Sequence, residues 1–247
     1  MLLHGVRIEW LDEIDSTNEE ARRRFRADEI GPLWIAARRQ TAGRGRRGRS
    51  WANLSRNLYC SGLYSLKCSP GEAAQLSFAA ALAASDVCRA ELPDRQVRVK
   101  WPNDVLVDGQ KICGVLLESA DAPGRVIQLV VGIGLNVAAA PDIPDYPATS
   151  LAILGSRIDA ATALEQLVSR FEHWRASWAA DGFAPIREAW MARAHGLGQR
   201  CVARLAGETL EGVFADLAAD GSLKLEMAKG ETRLISAGDV FFPGALE

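Results

Sequence analysis

Histidine is scarce in this chain. His4, His173 and His195 are the three among 247 residues, far apart in sequence, which disfavours a metal centre built on imidazoles. Cysteine is limited to Cys60, Cys68, Cys88, Cys113 and Cys201, an odd number without a C-x-x-C pair. That opposes a disulfide framework and a zinc site and fits a reducing compartment. No apolar run reaches the ~18 residues a membrane span needs, and the N-terminus M-L-L-H-G-V-R-I-E-W lacks the charged and apolar regions of a secretory leader. These absences read as a soluble cytoplasmic protein with no membrane partner. A net charge of −2 also lacks the excess that marks a nucleic-acid polycation. The hydrophobic fraction, 48%, supports a real core. The length suits one large domain, or a large and a small one.

One further absence is local. No acidic residue lies between Glu29 and Glu72, while eight basic ones do. At the centre is Gln40 to Trp51, Q-T-A-G-R-G-R-R-G-R-S-W, with Gly43, Gly45 and Gly48 among Arg44, Arg46, Arg47 and Arg49. Glycines let a backbone approach a ligand closely, and guanidinium forks suit phosphates and carboxylates. The letters spell G-x-G-x-x-G, but S-W-A-N-L-S-R-N beyond them is a poor helix start and the next acid, Glu72, comes late. A dinucleotide fingerprint needs a helix and an acid about 20 residues on. On this stretch alone a solvated basic loop and an anion site stand equal, and no apolar residue anchors the loop between Gly43 and Gly48.

Val6 to Leu11 reads as a strand, and D-S-T-N-E-E after it as a helix start. Ser16 with Glu19, or Thr17 with Glu20, forms the capping-box pattern. Leu33–Ala37 and Asn57–Leu66 are apolar runs of strand length, and Glu72 to Leu92 is an alanine-rich helix with Leu76, Ala80, Ala83 and Val87 on one stripe. Val97, Val99 and Trp101 alternate as a strand, and Val105–Val107 and Ile112–Leu117 flank Asp108-Gly109, a two-residue hairpin signal. Taken alone, Lys111 reads as an edge-strand charge and Asp104 as a turn residue bonding its own backbone, ahead of any functional reading. Val126–Val137 is a strand interrupted by Gly132 and Gly134, with Asn136 on their face by alternation; glycine inside a strand marks a close approach. A Pro-rich loop, Pro141 to Pro147, precedes a helix over about Ala160–Ala180 and a short one over Phe183–Ala194. After Gly198 come short alternating runs punctuated at Gly207-Glu208, Asp220-Gly221 and Lys229-Gly230, the pattern of a small barrel. The expected domains are 1–196 and 197–247.

Three segments together, G-R-G-R-R-G-R-S-W at 43–51, K-W-P-N-D at 100–104 and K-I-C-G-V-L-L-E at 111–118, resemble the biotin protein ligases. S-T-N at 16–18, Q-T at 40–41 and G-I-G-L-N at 132–136 are similar too. The resemblance implies an α+β fold, a mixed central sheet with flanking helices of the class II synthetase kind, followed by a small SH3-like β-barrel. It implies two half-reactions, biotin with ATP and Mg2+ giving biotinyl-5'-AMP, then transfer to a lysine of a biotin carboxyl carrier protein. By the same resemblance Ser16, Thr17, Asn18, Gln40, Gly43, Arg44, Gly45, Arg46, Lys111, Gly132 and Gly134 would hold biotin. Arg44, Arg46, Arg47, Arg49, Trp51, Asn103, Lys111 and Asn136 would hold the nucleotide. Lys111, Arg46 and Asp104 would carry catalysis, with Asp104 accepting a proton from the incoming lysine. Trp51 and Trp101 border ligand or pack in the core, two readings that stay open. Magnesium would sit mainly on the phosphates, its protein ligand unassigned. S-T-N begins at residue 16, so the winged-helix repressor segment of some members, and with it DNA, is not expected; a homodimer is left open. The rivals are a lipoate-type ligase, which shares fold and chemistry, and a nucleic-acid-binding module using the arginine loop.

Overall fold

The computed structural model describes residues 1–3, 5–122, 124, 126–142, 147–228 and 230–242. His4, most of the Pro141–Pro147 loop, Lys229 and the last five residues lie outside the described residues.

The larger sheet has eight strands: β1 (Leu2–Leu3), β2 (Val6–Ile14), β3 (Leu33–Gln40), β4 (Leu58–Leu66), β5 (Val97–Lys100), β6 (Asp104–Val107), β7 (Gln110–Ala122) and β8 (Val126–Leu135). Their order is β1-β2-β3-β4-β8-β7-β6-β5. Only β2 and β3 pair parallel, since helix α1 (Thr17–Arg26) carries the chain back between them; the other neighbours are antiparallel. The centre of the sheet is covered on both faces. Alternation along β3 sends Trp34 and Ala36 to one face and Leu33 and Ile35 to the other. The second pair packs with Ala21 and Phe25 of α1, Leu63 and Val130. The first pair joins the main core with the helices α2 (Pro70–Ala74), α3 (Leu76–Glu91), α4 (Ala160–Asp181) and α5 (Ala184–Met191).

The alanine-rich segment is two helices rather than one, broken at Gln75. A true capping box starts the first: Ser69 Oγ accepts from Glu72 N–H at 3.2 Å, and the Glu72 carboxylate accepts from Ser69 N–H at 2.7 Å. The capping box expected at the start of α1 is not formed. Ser16 stands at its N-cap without a side-chain bond, and the Thr17 hydroxyl is engaged elsewhere. Leu76, Ala80, Ala83 and Val87 are fully buried, as are Leu164, Leu167, Val168 and Phe171 of α4. Burying such Leu, Val and Phe side chains stabilises by roughly 1.5–3 kcal/mol each. Trp174 and Trp178 are only partly buried and donate to Asp86 and Gln75.

A second sheet follows: β9 (Arg200–Arg204), β10 (Thr209–Leu217), β11 (Leu223–Glu226), β12 (Thr232–Ile235) and β13 (Asp239–Phe241), antiparallel in the order β12-β11-β10-β9-β13. The expected barrel is open among the described residues, because its outer strands β12 and β13 do not pair. The sheet shares the main core: Trp190 packs edge-on against Phe214 and Phe78, and Trp101 Nε1 donates to the Gly221 carbonyl at 3.1 Å. This seating brings β13 beside the ends of β5 and β6. No helix is long and apolar enough to cross a membrane among the described residues.

Candidate active site

A cavity of about 450 Å³ opens on the α1 face of the large sheet. One end is neutral and buried. The parallel pairing of β2 and β3 brings Gln40, the last residue of β3, to the start of α1. Gln40 Oε1 accepts from the Thr17 backbone N–H at 2.8 Å and from its hydroxyl at 3.1 Å. The Ser61 hydroxyl lies 2.7 Å from Thr17 Oγ1 and 2.6 Å from Asn18 Oδ1. Asn18 Nδ2 donates to Glu118 at 2.7 Å, and Arg22 holds the other Glu118 oxygen at 2.8 Å. Ser16, Thr17, Asn18, Gln40 and Ser61 are all buried.

The floor is bare backbone. Gly134 on β8 pairs across with Gly114 on β7, and the Trp51 indole lies against both. A methyl group on Gly114 would come within 2.8 Å of that ring, and one on Gly132 would run into the Asn18 amide. These glycines are therefore required by close approach, and Gly114 was not among the residues expected from sequence.

The other end is charged. Lys111 Nζ lies 2.6 Å from Asp104 Oδ1 and 5.4 Å from the centre of the Trp51 ring. A β-bulge puts Lys111 there. Between Val105 and Leu106 the register slips so that Ile112 is an extra residue on β7. Strict alternation would send Lys111 and Gly114, three apart, to opposite faces; with the bulge, the Lys111 chain lies beside Gly114. Arg46 reaches Asn103 Oδ1 at 3.3 Å, the Gly238 carbonyl at 3.0 Å and Asp239 at 3.5 Å. Arg47 and Arg49 meet the same Asp239 carboxylate at 3.2 and 3.0 Å. Arg44 turns the other way, to Glu19 of α1. Lys100, paired across strands with Asp104, places its ammonium 5.6 Å from the centre of the Phe241 ring. Burial pushes both Arg46 and Lys100 below their ordinary pKa, with Asp239 and Asp104 opposing.

The arginine loop thus has anchors the sequence did not show. Its backbone closes on itself, Gly45 N–H to Arg49 O at 2.7 Å and Trp51 N–H to Gly43 O at 3.0 Å. Gly48 sits at φ 73°, where a side chain is strained.

Most of the expected residues converge on this cavity. Ser16, Thr17, Asn18, Gln40, Arg44, Gly45, Arg46, Arg49, Trp51, Trp101, Asn103, Asp104, Lys111, Gly132, Gly134 and Asn136 line it. Gly43 and Arg47 stand off the wall: Gly43 backs onto Gln40, and Arg47 points to Asp239. Asn136 is buried with its amide donated to the Thr149 carbonyl at 3.0 Å, and the Asn103 amide is donated to Val115. Trp51 is a cavity residue and Trp101 chiefly a core one. Lys100 opens the quoted K-W-P-N-D, and Ser61 is a serine in a largely apolar strand; both carried a signal. Asp239 carried none, since only the packing of the second sheet brings it to the loop.

Residues 10–136 match the biotin/lipoate A/B protein ligase family, and residues 196–242 match the biotin protein ligase C-terminal domain. The chain is 40% identical over 243 residues to a biotin–[acetyl-CoA-carboxylase] ligase of Paracoccus denitrificans, covering 95% of this chain and 100% of that one. It is 31% identical to the bifunctional ligase/repressor BirA of Bacillus subtilis, covering 94% of this chain and 73% of that one. A solved biotin protein ligase from Aquifex aeolicus, in complex with biotin and ATP, superposes with a TM-score of 0.78 at 28% identity over 95% of this chain and 97% of that one.

Proposed function

From the premise that the chain belongs to the biotin protein ligase family, we propose that the neutral end of the cavity holds the head of biotin and the charged end its carboxylate and the nucleotide. The protein is an ATP-dependent ligase that activates biotin as biotinyl-5'-AMP and transfers the biotinyl group to a lysine of a carboxylase's biotin carrier. The observation that carries the residue assignment is the gradient along one cavity. Buried neutral donors and acceptors suit an uncharged polar head, glycines let the Trp51 indole and the Asn18 amide lie close on the sheet beside the ring and tail, and cations meet the acid end.

In the first half-reaction a biotin carboxylate oxygen attacks the α-phosphorus of ATP; the bond to the β-phosphate oxygen breaks and pyrophosphate leaves. Two anions must meet, so positive charge and orientation are what the protein supplies. Lys111 and Arg46 would supply them, leaving Asp104 and Asp239 as they turn to phosphate. Among the described residues no group of three or more His, Cys, Asp or Glu could hold a metal ion, so magnesium would arrive on the phosphates of MgATP, the setting it prefers. In the second half-reaction the acceptor amine attacks the biotinyl carbonyl, the bond to the phosphate oxygen breaks and AMP leaves. Asp104, released by Lys111, would take the ammonium proton. The arginine loop would exclude water, which otherwise hydrolyses the mixed anhydride.

Residues 1–196 would carry this chemistry, and 197–247 the small domain that tethers the loop. The carrier is the macromolecular partner; an overall charge of −2 opposes DNA, and cytoplasm is the compartment where ATP and the carrier meet. The relatives and the C-terminal domain match favour biotin over lipoate. The test is isotope exchange between pyrophosphate and ATP with biotin, lipoate or neither. Exchange should require biotin and magnesium; equal stimulation by lipoate would overturn the biotin assignment.

A further inference from the structure

We infer that Lys100 binds the pyrophosphate leaving group and so acts in adenylate formation but not in transfer; this rests on the reading of the cavity just given. Lys100, Asp104, Gly114 and Gly134 form one transverse row of register partners across β5, β6, β7 and β8. Neighbouring strands lie ~4.8 Å apart. Lys100 is therefore one strand beyond Asp104, while the biotin-head residues lie at the other side of the glycine floor, around Gly132. Displacement at phosphorus runs in line, with the leaving oxygen opposite the attacking one. A cation on the side away from biotin meets the leaving group, and one over the floor meets the reacting phosphate. Lys111, beside Gly114 and Trp51, holds the second position, and Lys100 the first.

The charge count supports this. The cavity wall carries the basic residues Arg44, Arg46, Arg49, Lys100 and Lys111 against the acidic residues Asp104 and Asp239. The adenylate has one phosphate charge, whereas a triphosphate has several. Lys111 and Arg46 suffice for the first; a further cation is useful only while the β- and γ-phosphates are present. Burial lowers the Lys100 pKa, so its charge is sustained best when an anion is beside it. The Phe241 ring fixes the ammonium toward the small domain rather than toward Gly134.

The experiment separates the half-reactions. Lys100→Met keeps the length and removes the charge. Losing a charge-assisted contact should lower biotin-dependent exchange about ten- to a hundredfold and raise the KM for pyrophosphate. Single-turnover transfer from supplied biotinyl-5'-AMP to the carrier lysine should stay within about twofold of the parent, which also reports that the variant is folded. Lys100→Arg should restore much of the exchange. Loss of both half-reactions in a cooperatively melting protein, or loss of neither, overturns the inference. Should Lys100→Met fail to fold, Lys100→Arg decides alone: unchanged KM for pyrophosphate with reduced transfer overturns it. A parent that shows no biotin-dependent exchange would instead sink the ligase reading itself, so the two failures are distinct.

Discussion

The two ends of the cavity are built in opposite ways. The Thr17–Gln40–Ser61–Asn18 end consists of buried hydrogen bonds between neutral groups of the sheet and α1, with a charged group, the Glu118 carboxylate, behind the Asn18 amide. The Arg46–Arg47–Arg49 end consists largely of ion pairs on one carboxylate, running from Arg46, 22% exposed, to Arg49, 61% exposed. A neutral buried hydrogen bond contributes about 0.5–1.5 kcal/mol and leaving it unmade costs about 1–3, whereas an exposed ion pair contributes about 0–1 and is screened by salt. The neutral end is thus fixed before a ligand arrives. The charged end is held by a single carboxylate: Arg46, Arg47 and Arg49 all meet Asp239, and on the proposed reading a phosphate would compete with it for them. Rigidity belongs where a neutral head is read by shape, and exchangeable charge where a product must leave.

The largest break in this contrast is expected from Lys111→Ala. On the proposed reading, removing a preorganised cation from the reacting phosphate should reduce adenylate formation about 10²–10³-fold, with little change in melting temperature, because Lys111 lies near the start of its strand and lines the cavity, not the core. A variant with parental turnover and biotin affinity would return Lys111 to the role of an edge charge.

Arg46→Gly comes next. On the proposed reading the adenylate is retained by loop contacts, and losing one charge-assisted contact should weaken retention about ten- to a hundredfold. Enough activation should survive for biotinyl-5'-AMP to escape and acylate bystander lysines. A blot for biotin on albumin, without carrier, should be positive for the variant and negative for the parent. Adenylate production without bystander labelling would show that the loop is not its lid.

Gly132→Ala probes the neutral end. The added methyl displaces the Asn18 amide, and loss of about one neutral hydrogen bond should raise the KM for biotin roughly fivefold, leaving the KM for ATP unchanged. An equal rise in both would mean that the ends are not separable.

Salt should distinguish the ends without mutation. Between about 0.05 and 0.5 M salt, screening weakens the ion pairs that hold the loop to Asp239, so trypsin should cut after Arg44–Arg49 a few times faster in the empty protein, and biotin with ATP should suppress the cut. Salt-independent cleavage, or cleavage indifferent to ligands, would contradict the Asp239 tether.

The smallest effect concerns Asp15, whose carboxyl Arg23 holds down to about 2. A depressed carboxylate stabilises above its unfolded pKa, near 4, and loses that contribution as pH falls through about 2. Asp15→Asn should lower the melting temperature slightly at pH 6, with the gap closing toward pH 2; a constant gap would assign the effect to packing.

Much of this was legible in the residues. Glycine inside an apolar strand at Gly132 and Gly134 announced a close approach, and the alternation of β5 and the Asp108-Gly109 hairpin were readable from period and turn chemistry. The helix stripes of α3 and α4 were equally plain. What could not be read depends on tertiary partners. Thr17 satisfies the capping pattern locally, yet Gln40 and Ser61, distant in sequence, claim its hydroxyl. Asp239 is an ordinary strand acid until the second sheet seats it beside the loop. The break at Gln75 is masked by a continuous run of helix formers.

The bulge at Ile112 has a consequence for how such chains can vary. Every residue from Lys111 inward owes its side of the sheet to a count of one. Were Ile112 paired in register instead of bulged, with no letter changed, Lys111 and Gly114 would fall on opposite faces of the sheet. Deleting Ile112 would remove the bulge and leave the two residues two apart, on one face, with the pairing of β6 and β7 regular. The side on which this lysine stands is therefore a matter of phase, set by how one residue is accommodated and not by which letters flank it.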